Sequence, residues 1–320
     1  MKIYSVLIVG AGKIGAFFDT PRSKHVLTHA HAFTAHQGFR LLGFVDANRS
    51  QAEQAAAIWG GTTFCTLSEA FSQNVIDVVV IATPDIFHYP ILKEVAGYLP
   101  KLVFAEKPLT ASVAQAEEIA ELYADKGIRL AVNYSRRFVP EIGTLFSEIS
   151  DGRYGNYLTG AGYYGKGTLH NGSHMLDLVR FLLGEIKDAT VISQQNDFYD
   201  TDPSCSSILT LENGARFYMQ AVDCRCYTVF ELDLFFEKGR IRITDAGFRI
   251  EAQDVDDSSR FAGYRNLGAA RIIDTQLENA LLAAAGNIHD HLSLKTPLLC
   301  DGIDGLKAIA VSCSILQALQ

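Results

Sequence analysis

Residues Tyr4 to Gly15 read Y-S-V-L-I-V-G-A-G-K-I-G, an apolar run followed by three glycines. The run from Val6 to Val9, with its β-branched residues, predicts a parallel β-strand buried on both faces. Gly10, Gly12 and Gly15 have the spacing G-x-G-x-x-G. The first glycine permits a tight turn, the second lets a pyrophosphate approach the backbone, and the third lets the next helix pack on the strand. Because it directly follows a strand, this spacing predicts a dinucleotide-binding turn.

A second apolar strand, Arg40 to Asp46, ends in a carboxylate. Asp46 at this position can accept both ribose hydroxyls of an adenosine and repels a 2′-phosphate, so we predict NAD as the cofactor, with NADP less favoured. Lys13 and Ile14 begin the helix after the glycine turn, whose free N–H groups and partial positive charge attract phosphates. A Rossmann-like unit that binds nothing is the alternative, and the presence of both halves of the fingerprint argues against it.

The composition is that of a globular protein with room for two domains. The chain has 320 residues, of which 48% are hydrophobic and 20% charged. Its net charge of −8, without a basic stripe, argues against a nucleic-acid partner. No apolar stretch reaches the roughly 18 residues of a membrane span. The early core strand leads us to expect no signal peptide, and the scattered cysteines to expect reduced thiols in the cytoplasm.

The order of the predicted elements indicates the α/β class with two domains. Strands alternate with helices over residues 1–132, which predicts a Rossmann domain with a doubly wound parallel sheet. Residues 133–320 predict an α+β domain that binds substrate and mediates oligomerisation, as a homodimer or homotetramer. Strand follows strand there from Ile186 to about Glu251, which predicts a large open, mostly antiparallel sheet.

Three further elements are predicted near the end of the chain. Ala252 to Asn266 is polar and irregular and predicts a loop. Thr275 to Ala285 and Leu306 to Leu319 predict helices, and the last of these is a candidate to return to the Rossmann domain.

The segment between Gly15 and Asp46 is longer than a helix and a turn require. It contains His25, His29 and His31, whose spacing would allow metal binding. No set of carboxylates or cysteines accompanies them, so we predict no metal site. A loop that faces the substrate or another subunit is the favoured interpretation.

Two places in the sequence have residues suited to proton transfer. Lys107 comes at the end of a predicted parallel strand, held by Pro108, where ligands of such sheets bind. His174 and Asp177 are three residues apart on one helix face, and such a pair can accept or deliver a proton near neutral pH. The alternatives are a surface lysine in a turn and a capped helix with structural polar residues.

In this combination and order, the residues resemble the Gfo/Idh/MocA family of nicotinamide-dependent oxidoreductases. The motifs that carry the resemblance are the glycine spacing, Asp46, Thr83-Pro84 with His88, Glu106-Lys107-Pro108, Arg136-Arg137-Phe138 with Pro140, Gly172/His174/Asp177, and Pro297 to Lys307. The resemblance covers essentially the whole chain. It implies a Rossmann domain, an α/β substrate domain, a Lys-Pro bond that is often cis, and sugar-like substrates.

The resemblance also implies site residues. The catalytic set comprises Lys107, His174 and Asp177. The cofactor set comprises Gly10, Gly12, Lys13, Ile14, Gly15, Asp46, Ala82, Thr83, Pro84, His88, Glu106 and Lys107. The substrate set comprises Lys107, Arg137, Tyr164, His170, Asn171, His174 and Asp177.

One position departs from the family pattern. Polyol dehydrogenases of the family usually have an aspartate four residues before the histidine, and this chain has His170 there. An acceptor-only carboxylate is thus replaced by a group that can donate, accept or carry charge. The change argues against a simple polyol and leaves room for an acidic or phosphate-bearing substrate such as a nucleotide sugar.

The predicted function is NAD-dependent hydride transfer to or from a secondary hydroxyl of a sugar, a sugar derivative or a nucleotide sugar. Two alternatives stay open. One is a regulator that senses NAD and performs no chemistry, against which Lys107 and His174 argue. The other is a glycoside hydrolase of the same family that uses tightly held NAD for a transient oxidation, and net cofactor turnover separates it from a dehydrogenase.

Overall fold

The strand before the glycine turn lies in the middle of a parallel sheet. The computed structural model describes residues 2–318, and within them six strands form this sheet in the order β3-β2-β1-β4-β5-β6. The strands are β1 Tyr4–Val9, β2 Phe39–Val45, β3 Thr62–Phe64, β4 Val78–Ile81, β5 Leu102–Ala105 and β6 Arg129–Val132. Every residue of β1, β4 and β5 is buried, as expected of strands covered on both faces.

All the helices of this part except α4 start at polar capping residues. They are α1 His29–Ala35, α2 Arg49–Trp59, α3 Leu67–Gln73, α4 His88–Ala96 and α5 Val113–Asp125. Thr28, Asn48, Thr66 and Ser112 each accept a hydrogen bond from the N–H three residues further on, which satisfies a donor that the helix leaves open.

A second sheet follows α6 (Pro140–Ser150) and includes nine strands of the described chain. Its order is β14-β13-β12-β11-β7-β10-β9-β8, with β15 paired to β13, and all pairs are antiparallel except β7 with β10. The strands are β7 Tyr157–Tyr164, β8 Ile186–Tyr199, β9 Asp202–Leu211, β10 Arg216–Ala221, β11 Phe230–Phe236, β12 Gly239–Thr244, β13 Arg249–Asp257, β14 Arg265–Leu267 and β15 Arg271–Asp274.

Helix α7 (Ser173–Leu183) packs on this sheet. A Cβ atom on Gly162 of β7 would lie 2.6 Å from Sδ of Met175, so only glycine lets the helix approach this closely. Burial alternates along β11, so that Leu232 and Leu234 lie on its buried face. The two sheets together confirm the predicted fold class.

The chain ends with α8 (Ala280–Leu294) and α9 (Gly302–Gln317). The described residues up to Phe138, together with Glu278–Ile309, form one compact unit, and Val139–Leu277 with the residues from Ala310 onward form the second. Residue Asp301 pairs with Ala131 of β6, which attaches the segment before α9 to the edge of the parallel sheet.

Several predicted bounds were wrong. The loop expected over Ala252 to Asn266 instead contains the end of β13 and β14, because its polar side chains lie on an exposed hairpin whose backbone still pairs. The helix expected from Thr275 begins at Ala280 and continues to Leu294. The last helix begins at Gly302 rather than Leu306, and its expected end at Leu319 lies outside the described residues.

The cysteines and the helices add two observations. All six cysteines are free thiols, as predicted. Over residues 2–318, no helix combines the length and the apolar character that crossing a membrane requires.

Candidate active site

The glycine turn after β1 has the backbone geometry that a dinucleotide requires. Gly10 has a φ of +97°, and a Cβ atom there would lie 2.6 Å from the backbone of Ala82. A Cβ atom on Gly15 would lie 2.1 Å from the carbonyl oxygen of Gly10. A Cβ atom on Gly12 would meet Nε2 of Gln51 only at 3.9 Å, which leaves room for an approaching pyrophosphate.

The chain continues from this turn into a short helix, Lys13–Phe17. Lys13 is exposed and Ile14 is partly exposed, so both predicted cofactor residues are accessible. A cavity of about 330 Å³ adjoins them and is lined by Lys13, Phe17, Asn48, Ser50, Gln51 and Gln54. Polar donors and acceptors dominate this set, which suits the sugar–phosphate part of a dinucleotide.

Asp46, which follows β2, is bonded to the glycine turn. Its Oδ2 accepts a hydrogen bond from the N–H of Ala11 at 2.7 Å, and its Oδ1 accepts one from the N–H of Asn48 at 2.7 Å. A carboxylate has about four acceptor positions, so two bonds leave capacity for ribose hydroxyls. Arg49, the nearby cation that could have favoured a 2′-phosphate, is bonded to Glu53 instead.

The turn after β4 carries a polar atom without a partner. Oγ1 of Thr83 is buried and has no hydrogen-bond partner among the residues that the structure describes. Such atoms are rare in folded proteins, and one at the carboxyl end of a parallel strand fits a bound ligand group there. Together with the open side of Gly12, it indicates that the residues present fit NAD.

His88 lies behind this turn and not at its surface. Its ring is 1% exposed. Nε2 lies 2.9 Å from the carbonyl oxygen of Thr83, and Nδ1 lies 2.8 Å from that of Pro108. The ring therefore joins the ends of β4 and β5. This placement supports a structural role, and direct contact of His88 with the cofactor stays a prediction. Pro84, the remaining residue predicted in this turn, is exposed.

The segment Glu106-Lys107-Pro108 follows β5, and its Lys107–Pro108 peptide bond is cis, as the resemblance implies. Glu106 is buried, yet its carboxylate has polar neighbours. Oε1 is 2.9 Å from Nε2 of His29 and accepts a hydrogen bond from Nδ2 of Asn133 at 2.7 Å. Oε2 accepts a hydrogen bond from the backbone N–H of Lys107 at 3.3 Å.

These neighbours decide the charge of Glu106. Burial by itself raises the pKa of the carboxyl group, because it disfavours the charged form. Hydrogen bonds from His29 and Asn133 and the charge of Lys107 act in the opposite direction and outweigh burial. The pKa of Glu106 therefore lies below its ordinary value of 4.5, and a negative charge sits next to Lys107 at neutral pH.

Arg137 is held within the first unit. Its side chain is buried, with Nη1 3.0 Å from Oδ1 of Asp304 and 3.4 Å from the carbonyl oxygen of Leu299. These contacts tie the segment after β6 to the start of α9. Its predicted contact with substrate stays a prediction.

In the second unit, Tyr164 at the end of β7 is completely buried. Its hydroxyl donates to the carbonyl oxygen of Cys205 at 2.8 Å and accepts from the N–H of Cys205 at 2.8 Å. Burial raises the pKa of the phenol above its ordinary range. The hydroxyl therefore serves the fold, and its placement gives no support to the predicted substrate contact.

The loop Gly167–Gly172, which contains His170 and Asn171, is held by Asp202 of β9. The Asp202 carboxylate accepts hydrogen bonds from the N–H of Leu169 at 2.8 Å and of His170 at 2.9 Å. The amide of Asn171 donates to the carbonyl oxygen of Gly165 at 3.0 Å. The loop conformation is thus fixed from a neighbouring strand.

The rings of this region form an aromatic and cationic surface. The His170 ring lies 5.1 Å from the ring of Tyr199, centroid to centroid. The Lys166 ammonium lies 4.7 Å from the centroid of Phe198, which is 59% exposed. This surface combines stacking area with positive charge.

His174 and Asp177 lie on α7, as predicted. His174 is partly exposed, whereas Asp177 is buried, with Oδ1 3.6 Å from Nη1 of Arg180. Their difference in exposure supports His174 as the group that meets a substrate and Asp177 as a group that acts from within the helix face.

The three histidines before β2 do not share one site. His25 lies 3.5 Å from Glu278, His29 lies 2.9 Å from Glu106, and His31 lies 2.7 Å from Asp19. Within residues 2–318, no group of three or more His, Cys, Asp or Glu side chains could hold a metal ion.

Sequence reasoning missed three polar residues of the site: His29, Asn133 and Asp202. Asn133 had a usable signal, because it directly follows a buried parallel strand. His29 and Asp202 had none, since their partners are remote in sequence.

Two models of one family match the chain in succession. One, described as the oxidoreductase family with an NAD-binding Rossmann fold, matches residues 4–134, and the GFO/IDH/MocA C-terminal domain matches residues 141–242. The chain belongs to the Gfo/Idh/MocA family. Its residues 4–134 are the family's NAD-binding Rossmann fold, so the predicted family is confirmed.

Curated relatives of this family member include inositol 2-dehydrogenases. That of Pseudarthrobacter chlorophenolicus is 29% identical over 194 residues, which are 56% of this chain and 54% of that protein. In this match the chain spans about half the length of its relative. That of Corynebacterium glutamicum is 27% identical over 341 residues, covering 96% of this chain and 94% of that protein.

A solved structure shares the fold of this family member over nearly its whole length. It is the WlbA dehydrogenase from Bordetella pertussis in complex with NADH and UDP-GlcNAcA, with a TM-score of 0.82 and 19% identity. The match covers 99% of this chain and 95% of that one. At this identity the likeness concerns the fold alone.

Proposed function

We propose that this Gfo/Idh/MocA protein is an NAD-dependent oxidoreductase that transfers a hydride between nicotinamide and a secondary hydroxyl or ketone. Its substrate is a sugar, a sugar derivative or a nucleotide sugar. The observation that carries the proposal is Lys107, which follows β5 directly after a buried carboxylate. The neighbouring strand ends bring Thr83 and Asn133 to the same edge of the sheet, where ligands of parallel sheets bind.

The relatives support the substrate class. Inositol 2-dehydrogenases act, by name, on a ring that bears secondary hydroxyls. The WlbA complex contains a nucleotide sugar. The surface formed by Lys166, His170, Phe198 and Tyr199 supports the second type, because an aromatic base can stack on it and a phosphate can pair with the Lys166 ammonium.

The roles of the site residues follow from their chemistry. When bound, NAD supplies the hydride acceptor. Lys107 donates a hydrogen bond to the reacting oxygen and polarises it, and His174 takes the hydroxyl proton as a general base. Lys107 and His174 can exchange these roles, and Asp177 orients His174 or holds a further hydroxyl.

Substrate binding is assigned, as a further part of the proposal, to the loop with His170 and Asn171. The substrate contacts predicted for Arg137 and Tyr164 belong to this proposal as well. Both side chains are buried and hydrogen-bonded within their own units. Residues 1–132 would carry the cofactor. Residues 133–320 would carry the substrate and the contacts of a homodimer or homotetramer in the cytoplasm.

The experiment is a screen for absorbance change at the nicotinamide band with polyols, free sugars and nucleotide sugars. We expect stoichiometric formation of NADH with at least one of them. Hydrolysis of a glycoside without net NADH would favour the glycoside hydrolase instead. NAD binding without turnover of any substrate would favour the regulator.

A further inference from the structure

His29 is a buried histidine that makes a polar contact with Glu106. Its ring is 0% exposed and packs edge-on against Phe104, with 5.2 Å between the ring centroids. Nε2 lies 2.9 Å from Oε1 of Glu106, a residue 77 positions later in the chain. Nδ1 is buried without a hydrogen-bond partner among the described residues. This geometry places the proton on Nε2, because a buried N–H at Nδ1 would have no acceptor.

Glu106 needs such donors. A carboxylate buried without partners is very unfavourable, and here the cost is offset by hydrogen bonds. His29 and Asn133 both donate to Oε1, from α1 and from the end of β6. The backbone of Glu106 is also fixed, since its N–H donates to the carbonyl oxygen of Ile81.

The segment before α1 holds His29 in place. The buried carboxylate of Asp19 accepts hydrogen bonds from the N–H of Leu27 and the hydroxyl of Thr28, both at 2.6 Å, and contacts Nδ1 of His31 at 2.7 Å. Thr28 is in turn the N-cap of α1. The long segment between Gly15 and Asp46 thus contains the residues that fix the first turn of the helix that carries His29.

We infer that His29, with Asn133, is a positioning residue that fixes the charged carboxylate of Glu106 beside Lys107. The inference rests on the proposed function of Lys107. His29 acts through Glu106, and the carboxylate attracts the ammonium of Lys107 and holds the backbone N–H of that residue. Lys107 is a neighbouring group whose charge lowers the pKa of Glu106, and His29 acts on the carboxylate through its hydrogen bond.

The test compares three variants. His29→Leu removes the donor and keeps an apolar side chain in the buried site. His29→Gln restores an amide N–H near the position of Nε2. His31→Leu is the matched control, because it removes a buried histidine of the same helix that pairs with Asp19 and not with Glu106. The hydrogen bonds of Leu27 and Thr28 to Asp19, which hold the first turn of the helix, do not involve His31.

The first readout does not depend on turnover. The Glu106 carboxyl carbon is titrated by NMR in protein labelled with 13C-glutamate, with the signal identified by its absence in Glu106→Gln. We expect His29→Leu to raise the pKa of Glu106 by about one unit or more. His29→Gln should recover most of this rise, and His31→Leu should leave the titration unchanged. An unchanged titration in His29→Leu, or an equal rise in His31→Leu, would overturn the inference.

The second readout is the pH profile of kcat with a substrate found in the screen. Since removal of His29 raises the pKa of Glu106, the acid limb of His29→Leu should move to higher pH, and His29→Gln should move it back. A raised pKa of Glu106 without any movement of this limb would overturn the link to Lys107. If the wild type turns over no sugar, the proposed function fails, and the NMR titration still decides the role of His29.

If His29→Leu does not fold, a second variant tests the inference. Asn133→Ala removes the second donor to the same oxygen and should also raise the pKa of Glu106. If Asn133→Ala leaves the Glu106 titration unchanged while His29→Leu is unfolded, the donors to Oε1 do not set the charge of Glu106, and the inference is overturned.

Discussion

The carboxylate of Asp46 accepts a hydrogen bond from the backbone N–H of Ala11, with 2.7 Å between the oxygen and the nitrogen. The bond joins the end of β2 to the middle of the glycine turn. Asp46 therefore shapes the turn in which we predict that a pyrophosphate binds, in addition to its predicted bonds with an adenosine ribose. A substitution that tests the charge of Asp46 therefore has to preserve its hydrogen bond with the N–H of Ala11.

The first prediction concerns the choice of cofactor. We expect NAD to bind at least about tenfold more tightly than NADP, because Asp46 repels a 2′-phosphate. Asp46→Asn keeps an acceptor for the N–H of Ala11 and removes the charge. It should therefore reduce the ratio of NAD affinity to NADP affinity with little change in Tm. Fluorescence titration with both cofactors measures this. Tighter binding of NADP by the wild type would contradict the prediction.

The second prediction concerns the proposed acid–base groups. Lys107→Met keeps roughly the length of the side chain and removes its charge, and we expect turnover to fall at least about a hundredfold with NAD binding retained. His174→Asn should have a similar effect. The double variant should cost less than the product of the two, because the residues act in one step.

Steady-state kinetics and NAD titration of each variant provide the measurement. Near wild-type turnover by Lys107→Met would contradict the assignment of Lys107 as an acid–base group and would strengthen the alternative that the protein is a regulator.

The local parts of the fold were predictable because each depends on neighbouring residues. The apolar run before Gly10 gives β1, and Asn48, with Gly60 and Gly61, delimits α2. In the predicted active site, Lys107 at a strand end and His174 on a helix follow from the same local patterns.

The remaining features depend on contacts between distant residues. β7 was not predicted, since Gly160 and Gly162 weaken the strand pattern, and glycine at 162 makes sense only once Met175 packs against it. The pairing of His29 with Glu106 has no local signal either. The histidine spacing would have allowed a metal, which we did not predict, and the favoured interpretation was a loop facing the substrate or another subunit. Sequence gives no information about which carboxylate each ring meets.

The third prediction concerns acid stability. The pKa of Glu106 is lowered in the folded state, so the carboxylate contributes stability above its unfolded pKa, near 4.5, and this contribution is lost as the pH falls through the folded value. Asp77, whose pKa is lowered by its bonds to Lys101 and Ser5 against the opposing effect of burial, acts in the same direction.

We therefore expect Tm to fall between about pH 5 and pH 3. Glu106→Gln should lower Tm at pH 7 and make this acid dependence shallower. Calorimetry or circular dichroism over the pH series checks it, and an unchanged slope in Glu106→Gln would count against the pairing described here.

The fourth prediction concerns oligomerisation through the second sheet. The face of β11 opposite its buried residues contains Asp233, which accepts hydrogen bonds from Arg240. Its neighbours on that face still include the partly exposed rings of Tyr163 and Tyr218. We expect a dimer or tetramer by light scattering at micromolar concentration, and a smaller species for Tyr218→Asp. A monomeric wild type would exclude this surface as an interface.

The last prediction concerns Asp202, which holds the loop before α7. Its two oxygens accept the N–H groups of Leu169 and His170, and burial is the main reason that its pKa is raised despite these bonds. Asp202→Asn keeps one acceptor and turns an NH₂ group toward the other N–H. A lost hydrogen bond to a charged group costs about 1.5–3 kcal/mol.

If the loop positions substrate, we expect kcat/KM of Asp202→Asn to fall by roughly ten- to a hundredfold, which corresponds to that energy. NAD affinity should stay at the wild-type level, because Asp202 lies in the second unit. Asp200→Asn is the matched control, as this neighbouring carboxylate is exposed, and it should behave like the wild type. Equal kcat/KM for both variants would show that the loop conformation does not limit the reaction.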